Sequence, residues 1–383
     1  MGYQAEPRDG VRWHWTTPRA QDILRRRSLP EIFQLYRELN DLPQQELADL
    51  LGYSTSYISR VETGSRTITD VGTLRHIAEC LRLPPHCFGI TDEADGDHRT
   101  VIQLGESVLR LAEIARQAGQ ATAGVDELWP LVARLEARVA DGHTEIDILR
   151  LLARARVSLG VALGHVLPEE RLAAAARWTG KGLAVARRLQ DPALHTHALR
   201  HHGNELRKVG LLGAALERLG QARALAGTPA ERAEAVVLLA RAAGEAGRAT
   251  VFDQAVEEGS RLLERAPATA LFSPFSHYEV QLRGLMGTGR IKRAVDLLEQ
   301  APAPGPQTSA QWRIICAITA GEVLMQRGDS SAASEQMRTA IDGAVVHRLP
   351  HQLQRVVRAS GCLPDIQMQG NGALAQLRAE IAA

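Results

Sequence analysis

The chain has 383 residues, of which 45% are hydrophobic and 23% are charged. This balance is ordinary for a soluble globular protein, and the length allows two or three domains. The formal net charge of +1 argues against a polybasic tail, and the sequence contains neither a signal-type N-terminus nor an apolar run of about 18 residues. We therefore expect a cytoplasmic protein with no membrane partner.

The first 28 residues are weakly periodic and rich in arginine and proline, which predicts an N-terminal arm over residues 1–28. Five short helices are predicted over residues 29–90. Ser28 is expected to cap the first of them, and the segment Gln44–Leu51 is expected to turn Leu47, Leu50 and Leu51 inward. Gly52 follows as a stop signal that can adopt a positive φ.

A polar stretch over residues 91–100 predicts a linker. Residues 101–383 show an almost continuous helical pattern interrupted by Gly and Pro, without the alternation that is typical of strands. Units of two helices recur around turn glycines at Gly210, Gly247, Gly289 and Gly328. We therefore predict an all-α protein whose larger part is a helical-repeat domain.

The segment LPQQELADLLGYSTSYISRVETG (42–64) resembles the helix-turn-helix of the Cro/repressor, or XRE-type, family, with the likeness extending over about residues 29–90. Ala48 stands where the two helices cross, Gly52 stands in the turn, and Ile58 and Val61 form the apolar underside of the second helix. The resemblance implies a five-helix DNA-binding domain whose third helix is the recognition helix.

Capping by Ser54 places the polar side chains of that third helix opposite Ile58 and Val61. Arg60 is a candidate for bidentate contact with guanine, and the hydroxyl side chains are less selective partners. The family uses the position of Gln44 near the phosphate backbone, although Pro43 replaces the usual Ser or Thr cap there. The DNA-binding residues predicted in this way are Gln44, Ser54, Thr55, Ser56, Ser59, Arg60 and Arg66.

Charge limits how this domain binds its partner, double-stranded DNA. Residues 30–90 contain five arginines and eight acids, and residues 1–29 contain six arginines and three acids, so residues 1–90 are neutral overall. Counterion release should therefore add little affinity. We expect a homodimer on a palindromic operator, because one such domain contacts only a half-site.

The stretch GNELRKVGLLGAALERLGQARAL (203–225) resembles a tetratricopeptide unit, which implies an α-solenoid with a concave groove. In that family the position of Asn204 can hold a bound peptide, and Arg200 and Arg207 lie on nearby turns. These three residues are the candidate ligand site. The alternative for Asn204 is a hydrogen bond within or between helices.

An XRE-type domain followed by helical repeats resembles the peptide-responsive regulators of Gram-positive bacteria and many actinobacterial regulators. The resemblance implies a cytoplasmic, nucleoid-associated transcriptional regulator with a peptide or small-molecule effector. The alternative is an interaction scaffold whose repeats recruit a protein and whose DNA contact is secondary. No catalytic motif or cofactor signature is present. The pair His197 and His201 lacks an evident third ligand, so no metal site is predicted.

Overall fold

The computed structural model describes residue 15 and residues 17–90, 98–305 and 308–382. Over these residues the secondary structure is helical, as predicted. Nineteen α-helices are found there: α1 Pro18–Arg26, α2 Leu29–Asn40, α3 Gln44–Leu51, α4 Thr55–Glu62, α5 Val71–Leu81, α6 His98–Gln117, α7 Ala121–Ala140, α8 Ile146–Val166, α9 Leu172–Ala186, α10 Pro192–Lys208, α11 Leu212–Leu225, α12 Pro229–Glu245, α13 Ala249–Leu263, α14 Pro274–Gly287, α15 Ile291–Leu298, α16 Ala310–Arg327, α17 Ser330–Val346, α18 Pro350–Ala359 and α19 Pro364–Ala382.

Two compact units divide the chain, the first formed by residues 1–107 and 131–152 and the second by residues 108–130 and 153–383. The boundary between them falls inside α6, α7 and α8, whereas the sequence placed it at the linker 91–100. Residues 91–97 of that linker lie outside the described part of the chain, and residues 98–100 begin α6.

The helix-turn-helix core of the first unit is built by α2 to α5. Leu47, Leu51, Ile58 and Val61 are all at most 1% exposed, which confirms the apolar faces predicted for α3 and α4. The prediction for Leu50 was wrong, because its side chain is 40% exposed. In a helix of eight residues only one face packs against the core. Leu47 and Leu51, four residues apart, lie on that face, and Leu50 lies beside it.

Helix α1 lies within the predicted arm. Thr17 caps it by accepting a hydrogen bond from the amide of Ala20 at 3.2 Å, and Ile23 and Leu24 are buried in the same core as α2. Trp15 is 1% exposed and its ring lies 6.1 Å from that of Tyr36. The described part of the arm is therefore helical and packed, and its arginines face solvent, which explains why the segment looks weakly apolar in sequence.

The second unit consists of paired helices that form a solenoid-like array. The four turn glycines identified in the sequence lie between the helices of successive pairs and have φ of +64° to +85°, the left-handed conformation that glycine adopts without a steric penalty. Neighbouring pairs meet through glycine as well. A Cβ on Gly244 would lie 2.6 Å from the Cα of Gly284, so α12 and α14 approach too closely for any larger residue there.

No helix of the described residues combines the length and the apolar composition needed to cross a membrane.

Candidate DNA-binding surface and repeat-unit cavity

Helix α4 presents a short polar face. Its N-cap is Ser54, whose Oγ accepts a hydrogen bond from the amide of Tyr57 at 3.2 Å, as predicted. Ser56 and Arg60 are exposed, while Thr55 and Ser59 are half-buried. The hydroxyl of Thr55 donates to Oε1 of Gln45 on α3, so Gln45 orients the first residue of α4. Sequence reasoning did not single out Gln45, since it carries no motif.

Arg60 is held in place along the helix. Its Nε donates to the backbone carbonyl of Ser56 at 3.2 Å, and that bond does not involve the two Nη nitrogens. In the loop after α4, the guanidinium of Arg66 lies 4.3 Å from the ring centroid of Tyr57. Tyr57 in turn stacks on Tyr53 at 4.6 Å. The stacked tyrosines therefore hold the guanidinium of Arg66 in place. A cation–π interaction of this kind contributes about 0.5–1 kcal/mol at an exposed site.

A buried carboxylate fixes the C-terminal end of α4. Glu62 is 7% exposed and accepts hydrogen bonds from Arg37 Nη1 at 2.9 Å and from Gln44 Nε2 at 2.6 Å. The amide nitrogen of Gln44 is therefore engaged inside the domain. Pro43 is the N-cap of α3 and provides no side-chain cap hydrogen bond, as expected where Pro43 replaces the usual Ser or Thr. Gln44 therefore links α3 to the C-terminal end of α4.

The second unit contains a cavity of about 1190 Å³. Arg200, Asn204 and Arg207 of α10 all lie on its wall, so the structure brings the three candidate ligand residues together. Asn204 Oδ1 accepts a hydrogen bond from Arg207 Nε at 3.2 Å, and Arg200 pairs with Glu234 of α12. Asn204 therefore makes a hydrogen bond within α10, and it also lies on the cavity wall.

A carboxylate shared by three arginines forms part of the same wall. Glu245 accepts from Arg207 at 2.7 Å and from Arg283 at 3.3 Å, and Arg241 lies 3.9 Å away. Burial alone would raise the pKa of Glu245, but the three guanidinium groups outweigh it and lower the pKa to about 2. The guanidinium of Arg241 also lies 5.3 Å from the ring centroid of Trp312.

Sequence reasoning missed this cluster, although a signal exists. Arg207 and Glu245 are 38 residues apart, and so are Glu245 and Arg283. The three residues lie on the first helices of consecutive pairs, within six residues of the turn glycine that follows each helix, so the repeat architecture brings them close together.

The pair His197 and His201 also reaches this cavity. Their rings meet edge to face with centroids 4.5 Å apart. Burial, reinforced by Arg200, lowers the pKa of His197 to about 3 and that of His201 well below its ordinary value. Both imidazoles are neutral at physiological pH.

Residues 33–86 match the family described as helix-turn-helix. This match and the geometry of α2 to α5 show that the chain carries an XRE-type helix-turn-helix DNA-binding domain. The second unit is a solenoid-like array of paired helices.

Among solved structures, the Rap protein complexed with Competence and Sporulation Factor is 13% identical, with 85% of this chain and 96% of the Rap chain covered and a TM-score of 0.48. Bacillus thuringiensis PlcR in complex with the peptide PapR7 and DNA is 13% identical, with 86% and 99% covered and a TM-score of 0.35. BtubC from P. vanneervenii is 17% identical, with 60% and 91% covered and a TM-score of 0.39. No curated protein matches the sequence.

Proposed function

We propose that the protein is a sequence-specific transcriptional regulator, rather than an enzyme, that acts in the cytoplasm as a homodimer on a palindromic operator. The observation that carries the proposal is the polar face of α4, which a buried ion pair and a packed helix hold rigidly. The N-terminal part of such a helix meets base edges in the major groove. Arg60 would contact guanine, and the remaining proposed DNA contacts are Gln44, Ser54, Thr55, Ser56, Ser59 and Arg66.

Two residues of this set make hydrogen bonds inside the domain, and we propose that they position the helices rather than contact bases. Gln44 donates to Glu62 and Thr55 donates to Gln45, so we assign both to positioning α3 and α4 against the DNA backbone. Ser56 and Arg60 are the exposed members on the helix itself. Base specificity would then rest chiefly on these two side chains.

Arg60→Ala is expected to weaken binding to the selected operator by about 30-fold or more, because the homodimer loses one bidentate guanine contact, worth about 1–3 kcal/mol, in each half-site. Fluorescence anisotropy on an operator obtained by in vitro selection measures it, with circular dichroism to confirm the fold. The matched control is Arg261→Ala, which removes an arginine of the second unit that is 60% exposed. This variant should bind the operator as the wild type does. Equal affinity of wild type and Arg60→Ala would refute the assignment.

Homodimer formation is supported by the size of α4, whose eight residues span about 12 Å and can contact one half-site only. Light scattering with and without operator should give two protomers per palindrome. A monomer that binds a single half-site tightly would overturn this part of the proposal.

We further propose that the cavity of the second unit binds an anionic effector, a peptide carboxylate or an acidic small molecule. Ten basic residues line it against five acidic ones. The basic residues are Arg110, Arg116, Arg154, Arg200, Arg207, Lys208, Arg241, Arg283, Arg355 and Arg358, and the acidic ones are Glu113, Glu169, Glu234, Glu245 and Glu322. An anion would offset the excess positive charge that this wall places in a low-dielectric space.

Native mass spectrometry of the protein purified from its own host is expected to show a bound mass that is lost in Asn204→Ala, whose side chain faces the cavity beside Arg207. Arg261→Ala should retain the mass. A wild-type protein that carries no such mass, and whose melting temperature does not respond to acidic peptides, would contradict the effector and favour repeats that recruit a protein partner.

A further inference from the structure

Three potential metal ligands meet in the first unit. His86 lies in the 3₁₀ turn Pro85–Phe88, and His143 and Glu145 lie in the segment between α7 and α8. Their ligand atoms all lie within 4.8 Å of one another. His143 is 6% exposed, and the other two are half-buried. Separation by 57 residues in sequence, from 86 to 143, hides this group from any motif search.

The distances within the group fit a metal better than they fit direct ion pairs. Glu145 Oε1 lies 3.3 Å from His143 Nδ1 and 3.5 Å from His86 Nε2. Charge-assisted hydrogen bonds are shorter, about 2.7–2.9 Å. Ligands held about 2.0–2.1 Å from a tetrahedral zinc ion are separated from each other by about 3.3–3.4 Å. The two imidazole nitrogens would have to approach each other a little further on binding.

The second oxygen of the same carboxylate supports this interpretation. Glu145 Oε2 is buried and has no hydrogen-bond partner among the described residues, a state that costs free energy for a charged group. A cation bound at this carboxylate would offset that cost. The two rings stack with centroids 6.3 Å apart and planes 20° from parallel, and each has a nitrogen within 3.5 Å of the same carboxylate oxygen.

We propose that His86 Nε2, His143 Nδ1 and Glu145 Oε1 bind one divalent transition-metal ion of the zinc type, with water in the fourth position. Two imidazoles and one carboxylate suit Zn²⁺ and its neighbours, whereas Mg²⁺ and Ca²⁺ prefer oxygen ligands. The ion would join the turn that closes the helix-turn-helix domain to the segment before α8, within one unit. Its role is structural, because it ties together two parts of the first unit that are distant in sequence.

The test uses the full-length protein, stripped with EDTA and then titrated with Zn²⁺ in competition with a chromogenic chelator. We expect one ion per chain, a higher melting temperature with zinc, and at least about tenfold weaker binding in both His143→Ala and Glu145→Gln. The second variant keeps the shape of the side chain and remains informative if the first fails to fold. Cobalt substitution should give the visible absorption of a tetrahedral site.

The control is His197→Ala, which removes one member of the pair His197 and His201. This variant should bind zinc as the wild type does. Absence of stoichiometric binding by the wild type, or unchanged affinity in Glu145→Gln, would overturn the proposal. Loss of binding in His197→Ala would do so as well, by placing the ion elsewhere.

Discussion

Replacing Glu245 with Ala is expected to lower the free energy of unfolding of the second unit by about 3 kcal/mol. This is the lower end of the range for breaking a buried ion pair, because the carboxylate keeps 24% exposure. The three arginines that contact Glu245 would not be affected equally. Arg283 retains Glu279 at 2.8 Å, whereas Arg207 and Arg241, 7% and 8% exposed, would keep their burial and lose the carboxylate between them.

The matched control is Glu257→Ala. Glu257 pairs with Arg261 at 2.8 Å within α13, but the two side chains are 71% and 60% exposed. An exposed pair at this spacing contributes about 0.3–0.5 kcal/mol, so this variant should unfold almost as the wild type does. Urea unfolding followed by far-UV circular dichroism compares the two. A Glu245→Ala protein as stable as Glu257→Ala would show that the three arginines do not depend on this carboxylate.

The same variant connects stability to the proposed effector. Without Glu245 the cavity wall carries one more uncompensated positive charge, so a small carboxylate such as acetate should restore part of the lost stability by mass action. The effect should be smaller in the wild type and in Glu257→Ala, whose cavities keep the carboxylate of Glu245. Equal responses of all three proteins would mean that acetate acts on the whole surface rather than in the cavity.

Local features of the fold could be predicted from the sequence because they depend on neighbours in the chain. The cap at Ser54, the positive φ of Gly52 and the interhelix turns need only a few consecutive residues, and each was found where expected. The buried faces of α3 and α4 followed from helical periodicity, with Leu50 as the exception.

The features that the sequence did not reveal depend on contacts between distant positions. The sequence suggested that Gln44 lies near the phosphate backbone of DNA. It gave no sign that the side-chain amide of Gln44 donates a hydrogen bond to the buried carboxylate of Glu62, eighteen residues away. Burial of a carboxylate is unexpected for any Glu until its partners are known. Glu245 shows the same difficulty, and only its separation of 38 residues from both Arg207 and Arg283, close to the spacing of the turn glycines, could have pointed to it.

Acidification from pH 7 to pH 5 is the second condition expected to have a large effect, and it should destabilise the second unit. His277 and His351 are 4% and 8% exposed. Burial lowers the pKa of His277 to about 4, and burial together with Lys208 lowers that of His351 to about 3. In the unfolded chain both should titrate near 6.5. Below that pH the unfolded state binds protons that the folded state does not.

The sign follows from this difference in proton binding. The contribution of these two neutral histidines to the free energy of unfolding is fully present above about pH 6.5. It is lost as the pH falls toward their folded-state pKa values, and at pH 5 the loss is about 2 kcal/mol for each histidine. His165, His197 and His201 act in the same direction, because burial lowers the pKa of each.

Two buried carboxyl groups oppose this trend. Burial raises the pKa of Glu322 to about 7 and also raises that of Glu205. These groups take up protons in the folded state first, so they add stability as the pH falls from 7 toward 4.5. Five strongly shifted histidines outweigh two carboxyls, and the net effect of acidification is destabilising. Glu245, with its pKa near 2, stays ionised in the folded state throughout this interval.

Urea midpoints measured at intervals between pH 7 and pH 5 should therefore fall steadily. The double variant His277→Gln and His351→Gln removes two of the titrating groups, so its midpoint should depend less steeply on pH, even if it is less stable at pH 7. His98→Gln, a half-exposed histidine at the start of α6, is the control and should keep the wild-type slope. A midpoint that stays constant or rises toward pH 5 would contradict the prediction, because it would mean that the folded state takes up protons as readily as the unfolded chain.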